Sequence, residues 1–161
     1  MIKIRQYEKR DAEAVRAIFV DAIRGLATVH YSQAQVDVWS GVMGDHHSVH
    51  ARRTDGRTTW LAVDNADQPL AYIDLEADGH IDHLFCRPEA AGQGLASALY
   101  ATLEQFARAQ GINYLYVEAS ESAKPVFARH GFNVVRRRDF EMDGVALHNY
   151  AMDKRLAGRT S

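Results

Sequence analysis

The chain opens with apolar residues that first alternate with charged ones and then recur at helical spacing. Alternation over residues 2–5 predicts a strand, and a helix capped by Asp11 follows it. The apolar face of this helix consists of Ala14, Val15, Ile18, Phe19, Ala22, Ile23 and Leu26. Ser32 is predicted to cap a second helix, and the polar residues 44–57 predict a surface loop or a short helix.

Three apolar runs in the middle of the chain predict an antiparallel meander. They cover residues 58–63, 70–76 and 80–86, and Asp78-Gly79 forms the turn between the second and third runs. We therefore expect three consecutive strands that are neighbours in one sheet.

Two glycines stand between the third of these strands and a long amphipathic helix. Gly92 and Gly94 follow Pro88, which prevents the strand from continuing. Glycine lets the backbone turn tightly, and the first N–H groups of the helix then remain open to an anion. A plain tight turn and a phosphate cradle both fit this spacing.

The last third of the chain predicts a strand, a short helix and a closing hairpin. The strand covers residues 114–119, Ser120 starts the helix, and Gly131 ends it as a left-handed cap. Asp143-Gly144 is the predicted turn of the hairpin.

The order of these elements, β-α-α-β-β-β-α-β-α-β-β, predicts one mixed α/β domain over residues 1–161. The long helix is a crossover between two neighbouring strands, which should run parallel inside an otherwise antiparallel sheet. The start of that helix then lies at the carboxyl end of a strand, where open α/β sheets bind ligands.

Composition narrows the class of protein. The 161 residues are 47% hydrophobic and 25% charged, as in ordinary globular domains, and one cysteine, Cys86, excludes an internal disulfide. A net charge of −2 creates no field that would gather nucleic acid. The N-terminus does not resemble a signal peptide, and no apolar run approaches membrane-spanning length. We expect a cytoplasmic protein without nucleic-acid or membrane partners.

Two polar clusters carry less information. Asp45, His46, His47 and His50 have metal-like spacing, but no matching cysteine or acidic residue is spaced with them, so no metal site is expected. The three arginines at 136–138 are expected to form the solvated edge of a strand and not a nucleic-acid patch.

Two sequence blocks carry a resemblance to a known family. The first is Cys-Arg-Pro at residues 86–88, followed by Ala-Gly-Gln-Gly-Leu-Ala at 91–96. The second is Ser-Glu-Ser-Ala at 120–123, followed by Phe-Ala-Arg-His-Gly-Phe at 127–132. With both blocks in order, residues 2–155 resemble the GNAT superfamily of acyl-CoA-dependent N-acetyltransferases. The resemblance implies a mostly antiparallel sheet, flanked by helices, whose central parallel pair splays at the acyl-CoA site.

The resemblance also implies a reaction and a coenzyme site. Acetyl-CoA would be the co-substrate, and a primary amine of a small molecule, amino acid or peptide would attack its thioester directly. Backbone N–H groups would hold the pyrophosphate, and the end of the third meander strand would pair with the pantetheine arm. The implied coenzyme contacts are Leu84, Phe85, Cys86, Ala91, Gly92, Gln93, Gly94, Leu95, Ala96, Ser120 and Phe127. Dimers are common in the family, so a homodimer is one expected state.

Two positions depart from the family pattern. Ala91 stands where relatives have arginine or glutamine, which should weaken coenzyme binding without abolishing it. Phe127 stands where many relatives have a tyrosine that protonates the departing thiolate, and a phenyl ring cannot donate a proton. Tyr116, Tyr31 and Tyr150 are candidate donors, although each could instead be a packed aromatic residue. A non-catalytic acyl-CoA sensor is therefore the alternative function.

Carboxylates near the predicted cleft are candidates for the base that deprotonates the amine. Asp82 lies between apolar neighbours on the strand that enters the glycine loop, where an unpaired carboxylate is costly to bury. The alternative is an aspartate paired with a nearby histidine or arginine. Glu118, at the end of the facing strand, could reach the same cleft, and Glu76 and His83 are further candidates.

Overall fold

The structure is a computed structural model that describes residues 2–25 and 29–156. The strands in this part of the chain are β1 (Lys3–Gln6), β2 (Thr58–Val63), β3 (Pro69–Leu75), β4 (His80–Ile81), β5 (Leu84–Cys86), β6 (Tyr114–Ala119), β7 (Asn133–Met142) and β8 (Val145–Arg155). The α-helices are α1 (Ala12–Arg24), α2 (Gln33–Ser40), α3 (His46–Arg53), α4 (Leu95–Ala109) and α5 (Lys124–Arg129). Leu26, which the sequence places last on the apolar face of α1, lies outside the described residues.

The strands form two four-stranded sheets. The first has the order β1-β2-β3-β5 and is antiparallel throughout. The second has the order β4-β6-β8-β7, and its only parallel pair is β4 with β6, among the described strands. The mixed α/β fold and its parallel pair are thus as predicted, but that pair is two residues long, His80 with Tyr116 and Ile81 with Val117.

The predicted continuous strand over residues 80–86 is wrong, because the chain breaks at Asp82-His83 and passes from the second sheet to the first. The fully buried Asp74 on β3 explains this break. Its Oδ1 accepts hydrogen bonds from the backbone N–H groups of Asp82 and His83, at 2.8 and 2.9 Å. A buried N–H group needs a partner, and here a side chain supplies it in place of a neighbouring strand. The two sheets consequently separate beyond Ile81, and a cleft opens between them.

Two apolar clusters hold the first sheet from its two faces. Along β2, Trp60 and Ala62 pack on the α4 side, whereas Leu61 and Val63 pack on the side of α1, α2 and α3. Burial on both faces explains why β2 reads as a continuous apolar run. No helix in the described part of the chain is long and apolar enough to cross a membrane.

Three local predictions need correction or completion. Asp11 precedes α1, but its carboxylate does not cap that helix; it accepts hydrogen bonds from Arg5 and from the backbone N–H of Glu8. The helix predicted from Ser120 begins only at Lys124 and follows a turn over residues 121–123, which the Ser120 Oγ caps by accepting from the Ala123 N–H. The polar stretch 44–57 contains a short helix, α3, capped by Asp45.

The predicted turns of the last third are confirmed. Gly131 has a φ of +90°, and the Phe132 N–H folds back to the Phe127 carbonyl at 3.1 Å. Asp143 and Gly144 both have positive φ, at +49° and +76°, as a two-residue hairpin requires.

Candidate active site

The glycine loop leads into α4 beside an open cavity of about 600 Å³, which we name the coenzyme cavity after the expectation from the sequence. Gly92 and Gly94 have φ values of +81° and +77°, in the left-handed region that favours glycine. Gly94 is the N-cap of α4 and offers no side chain, so the first N–H groups of the helix have no side-chain cap. The residues of this segment that form the first wall of the cavity are Cys86, Pro88, Ala90, Ala91, Gly92, Gly94, Leu95, Ala96 and Ser97. Main-chain donors therefore face a space that could take an anion.

Strand β5 supplies the second wall of the coenzyme cavity. It is the last strand of its sheet, so only one edge is paired with β3 among the described strands. The His83 carbonyl and the Arg87 N–H both bond to β3, at 3.1 and 2.8 Å. Because these groups alternate along a strand, the backbone N–H and C=O of Leu84 and Cys86 point to the open edge. An extended chain can pair there.

A second cavity, of about 290 Å³, lies on the other side of the split; we call it the acceptor cavity. It is walled by α1, α2, α3 and the β7–β8 hairpin, and its aromatic lining consists of Phe19, Tyr31, Trp39, Phe85, Phe127 and Phe140. The junction residues line both cavities: Leu84, Phe85, Ser120 and Ala123. The two cavities therefore meet where the sheets separate.

Asp82 lines the acceptor cavity and is paired, as the alternative interpretation of the sequence had it. Its Oδ2 accepts from Arg57 Nη1 at 2.9 Å, and the same nitrogen donates to Asp74 at 2.8 Å. Burial opposes ionisation of Asp82, but the charge of His83 when that ring is protonated at low pH, together with the hydrogen bond and charge of Arg57, outweighs burial and holds the pKa of Asp82 below its usual value. Asp82 is thus a fixed negative charge.

His83 is a buried, neutral side chain that lines the same cavity. Its Nδ1 lies 3.0 Å from the Tyr72 hydroxyl, and its ring stacks on Phe19 with centroids 5.3 Å apart. Burial lowers the pKa of His83 to about 4, so the imidazole carries no charge at neutral pH.

Glu118 also lines the acceptor cavity, and its carboxylate is hydrogen-bonded to a histidine outside the cavity lining. His80 Nε2 lies 2.7 Å from the Glu118 carboxylate, and His80 Nδ1 lies 2.7 Å from that of Glu76. The hydrogen bond to Glu118, despite opposing burial, raises the pKa of His80 to about 9. His80 is therefore an imidazolium at pH 7 between two carboxylates. Glu76, the outer one, is 37% exposed.

Of the three candidate proton donors, only Tyr31 lies in the acceptor cavity. The Tyr116 hydroxyl donates to Asp78 and its ring stacks on His80, outside both cavities. Tyr150 also lines neither cavity, and its hydroxyl bonds to Glu121 at 3.4 Å. The structure thus does not bring Tyr116 to the site, because its hydroxyl is held at the β3–β4 turn, away from the split.

Tyr31 is 6% exposed and its hydroxyl oxygen accepts from the Glu121 N–H at 2.9 Å. Burial raises its pKa above the ordinary value, so it keeps its proton at neutral pH. Phe127 is 1% exposed, packs on Phe132 and faces the acceptor cavity, not the coenzyme cavity. Gln93 lines neither cavity.

The arginines near the two cavities differ in what their side chains contact. Arg129 lines the coenzyme cavity, whereas Arg87 is held by the Pro69 carbonyl and Asp21. Within the basic run at 136–138, Arg138 is half-buried and lines the acceptor cavity, where Arg52 joins it. The sequence analysis did not identify Arg138 or Arg52 as cavity residues. The only signal concerned Arg138, because three consecutive arginines in a strand alternate between its two faces.

The histidines near α3 contact aromatic side chains. The rings of His46 and His47 stack with centroids 4.1 Å apart, and His50 bonds to the Tyr7 hydroxyl. In the described part of the chain, no group of three or more histidine, cysteine or acidic side chains could hold a metal ion.

Two cavities thus meet where the two sheets separate, and the comparisons with known proteins identify the family. Residues 27–154 match the acetyltransferase (GNAT) domain family, and the chain belongs to this family of acyl-CoA-dependent acetyltransferases. It is 34% identical to the uncharacterized N-acetyltransferase YafP of Escherichia coli K12 over 151 residues, which is 94% of each chain.

Solved structures show the same fold. A GCN5-related N-acetyltransferase from Rhodopseudomonas palustris superposes with a TM-score of 0.87 at 32% identity, over 96% of this chain and 95% of that one. The PaiA N-acetyltransferase of Thermoplasma acidophilum, solved in complex with coenzyme A, superposes with a TM-score of 0.75 at 16% identity, over 96% and 99%.

Proposed function

We propose that this acetyltransferase moves the acetyl group of acetyl-CoA to the primary amine of a small molecule by direct attack. The observation that carries the proposal is the junction: Leu84, Phe85, Ser120 and Ala123 wall both cavities. The thioester of acetyl-CoA would lie at that point, with the rest of the coenzyme in one cavity and the attacking amine in the other.

The coenzyme lies along main-chain groups. The N–H groups of residues 91–96 hold its pyrophosphate at the start of α4, where the helix dipole adds positive charge. The open edge of β5 pairs with the pantetheine arm, and the Ser120 hydroxyl adds a contact. Arg129 supplies the positive charge that Ala91 lacks. An outward N–H of β5 polarises the thioester carbonyl.

Glu118 accepts the first proton from the incoming ammonium group. Glu118, whose side chain is 31% exposed, then passes the proton to water. His80, itself held by Glu76, stays an imidazolium and keeps the Glu118 carboxylate oriented. Asp82, kept ionised by Arg57, attracts the ammonium electrostatically.

The free amine then attacks the thioester carbonyl carbon, so that a C–N bond forms and the C–S bond breaks. The nitrogen loses its second proton to water, and the thiolate takes the proton of Tyr31, which recovers one from water. Tyr31 suits this role because its oxygen accepts from the Glu121 N–H, a bond that stabilises the oxygen once it has given up its proton. It does the work that Phe127 cannot do.

Free-thiol release from acetyl-CoA, measured with and without a panel of primary amines, tests the proposal. CoA, and not ATP, should raise the unfolding temperature, and at least one amine should accelerate thiol release. Stabilisation by CoA without stimulation by any amine would instead favour the acyl-CoA sensor.

A further inference from the structure

The acceptor cavity has charged side chains of both signs in its lining. The carboxylates of Asp82 and Glu118 come from the ends of β4 and β6, and the guanidinium groups of Arg52 and Arg138 come from α3 and β7. These four side chains form no ion pair with one another. Since opposite charges around a small cavity ordinarily attract, the space between them could hold a ligand that pairs with each.

The two carboxylates are oriented by cations from outside the cavity. Arg57 holds Asp82 at 2.9 Å and His80 holds Glu118 at 2.7 Å, and neither cation is part of the lining. One oxygen of each carboxylate accepts these bonds, and the rest of each group is available to an ammonium.

The two arginines have no acidic partner in the described part of the chain. Arg138 donates to the Asn149 Oδ1 at 3.3 Å, and Arg52 forms no side-chain hydrogen bond or ion pair with any described residue. Arg52 affects Asp82 only through its longer-range charge. Arg138 is half-buried, whereas its neighbours Arg136 and Arg137 are exposed. A guanidinium has a donor geometry that matches a carboxylate or a similar small anion.

The remaining lining is apolar and the space is small. Large apolar and aromatic side chains fill the wall between the charges: Phe19, Trp39, Phe140, Met142 and Leu147. The volume of about 290 Å³ suits a small molecule with a compact apolar body.

We infer that the acceptor is an amino carboxylate or a closely similar small zwitterion with an apolar body, such as an apolar amino acid. Its amine lies toward Asp82 and Glu118, and Arg52 and Arg138 bind its anionic group. This inference rests on the proposed acetyl transfer, because it names the acceptor of that reaction.

Binding of reaction products tests the anion subsite without any need for turnover. Trp39 lines the cavity, whereas Trp60, the second tryptophan of the chain, is 4% exposed in the core, so tryptophan fluorescence reports on the cavity. The probes are N-acetyl-leucine, N-acetyl-methionine and N-acetyl-phenylalanine, each beside its uncharged carboxamide, with CoA present.

At least one acid should bind about 10-fold more tightly than its amide, and R52Q/R138Q should remove this preference while leaving amide binding unchanged. R136Q is the matched control, because Arg136 lies on the same strand outside the cavity, and it should keep the preference. Equal binding of acids and amides, no binding of any acid, or a preference that survives R52Q/R138Q would overturn the inference.

Turnover with the matching amino acids and amino acid amides separates this inference from the proposed function. Faster thiol release with the acids, lost in R52Q/R138Q, supports both. If the amides are acetylated equally well, the anion subsite is wrong and acetyl transfer stands. If the acids bind and no amine stimulates release, the anion subsite stands as a binding site and the proposed transfer is wrong, along with the role of the ligand as acceptor.

Discussion

The coenzyme cavity and the acceptor cavity are built from different parts of the polypeptide. The coenzyme side is made mainly of small residues and main-chain groups of the continuous segment 84–97, completed by the end of α1 and by residues 120–129. The acceptor side is made of large aromatic and charged side chains from α1, α2, α3, β6 and the β7–β8 hairpin. Binding through the main chain tolerates many side chains, whereas recognition through side chains depends on each of them. Changes in the two regions should therefore affect different kinetic constants.

The largest expected effect comes from the coenzyme side alone. Gly94→Val places a β-branched residue at a φ of +77° and displaces the N–H groups at the start of α4. With the loss of one charge-assisted hydrogen bond, the KM for acetyl-CoA should rise about 100-fold. Coenzyme titrations in kinetic assays measure this.

Gly56→Val is the matched control for that variant. Gly56 also has positive φ, at +107°, with nothing within 4 Å of an added Cβ, but it lies in neither cavity. Gly94→Val should leave binding of the acetylated product unchanged. Equal loss of affinity for coenzyme and product would contradict the separation of the two cavities.

Loss of a hydroxyl from the acceptor cavity should affect the chemical step. Tyr31→Phe removes the proposed proton donor and should lower kcat about 30-fold, which is below the usual contribution of general acid catalysis because a thiolate leaves readily. The KM for acetyl-CoA should change little. Tyr116→Phe is the control, since its hydroxyl lies outside both cavities. Equal kcat values for the two variants would refute the role of Tyr31.

Loss of the proposed base should affect the acceptor side alone. Glu118→Gln should lower kcat/KM for the amine about 10-fold at pH 7, with an unchanged KM for acetyl-CoA. The deficit should shrink at higher pH, where more of the amine is already deprotonated in solution. A deficit that is the same at every pH would show that Glu118 acts only through its charge.

The smallest expected effect is on stability, and it tests whether His80 is charged and paired with Glu118. The pKa of His80 in the folded protein, about 9, lies above its ordinary value of 6.5. Its contribution to stability is therefore complete below pH 6.5 and is lost as the pH rises through about 9. Between pH 6 and pH 10 the wild type should lose about 1 kcal/mol of unfolding free energy relative to His80→Gln. Urea titrations of both proteins at the two pH values measure this. If the unfolding free energy of both proteins changed equally between pH 6 and pH 10, the ion-paired state of His80 would be contradicted.

Much of the fold could be predicted from the sequence because its signals are local. The left-handed cap at Gly131 and the hairpin turn at Asp143-Gly144 need only their own φ values, and both were found as predicted. The break at Asp82-His83 could not be predicted, because it depends on a carboxylate from another strand, Asp74.

The candidate site divides in the same way. The glycine loop is contiguous in the sequence, and its residues were predicted to contact the coenzyme; apart from Gln93, they line the coenzyme cavity. The inward turn of Arg138 and the pairing of Asp82 with Arg57 depend on how distant elements pack. Neither arrangement leaves a periodic or motif-like signal in the sequence.

A crystal structure with bound coenzyme A tests the central claim most directly. We predict that the pyrophosphate accepts hydrogen bonds from the N–H groups of residues 91–96 and that the sulfur lies beside the junction residues Leu84, Phe85, Ser120 and Ala123. A coenzyme bound elsewhere, or one whose sulfur lies away from the junction residues and the acceptor cavity, would contradict the account.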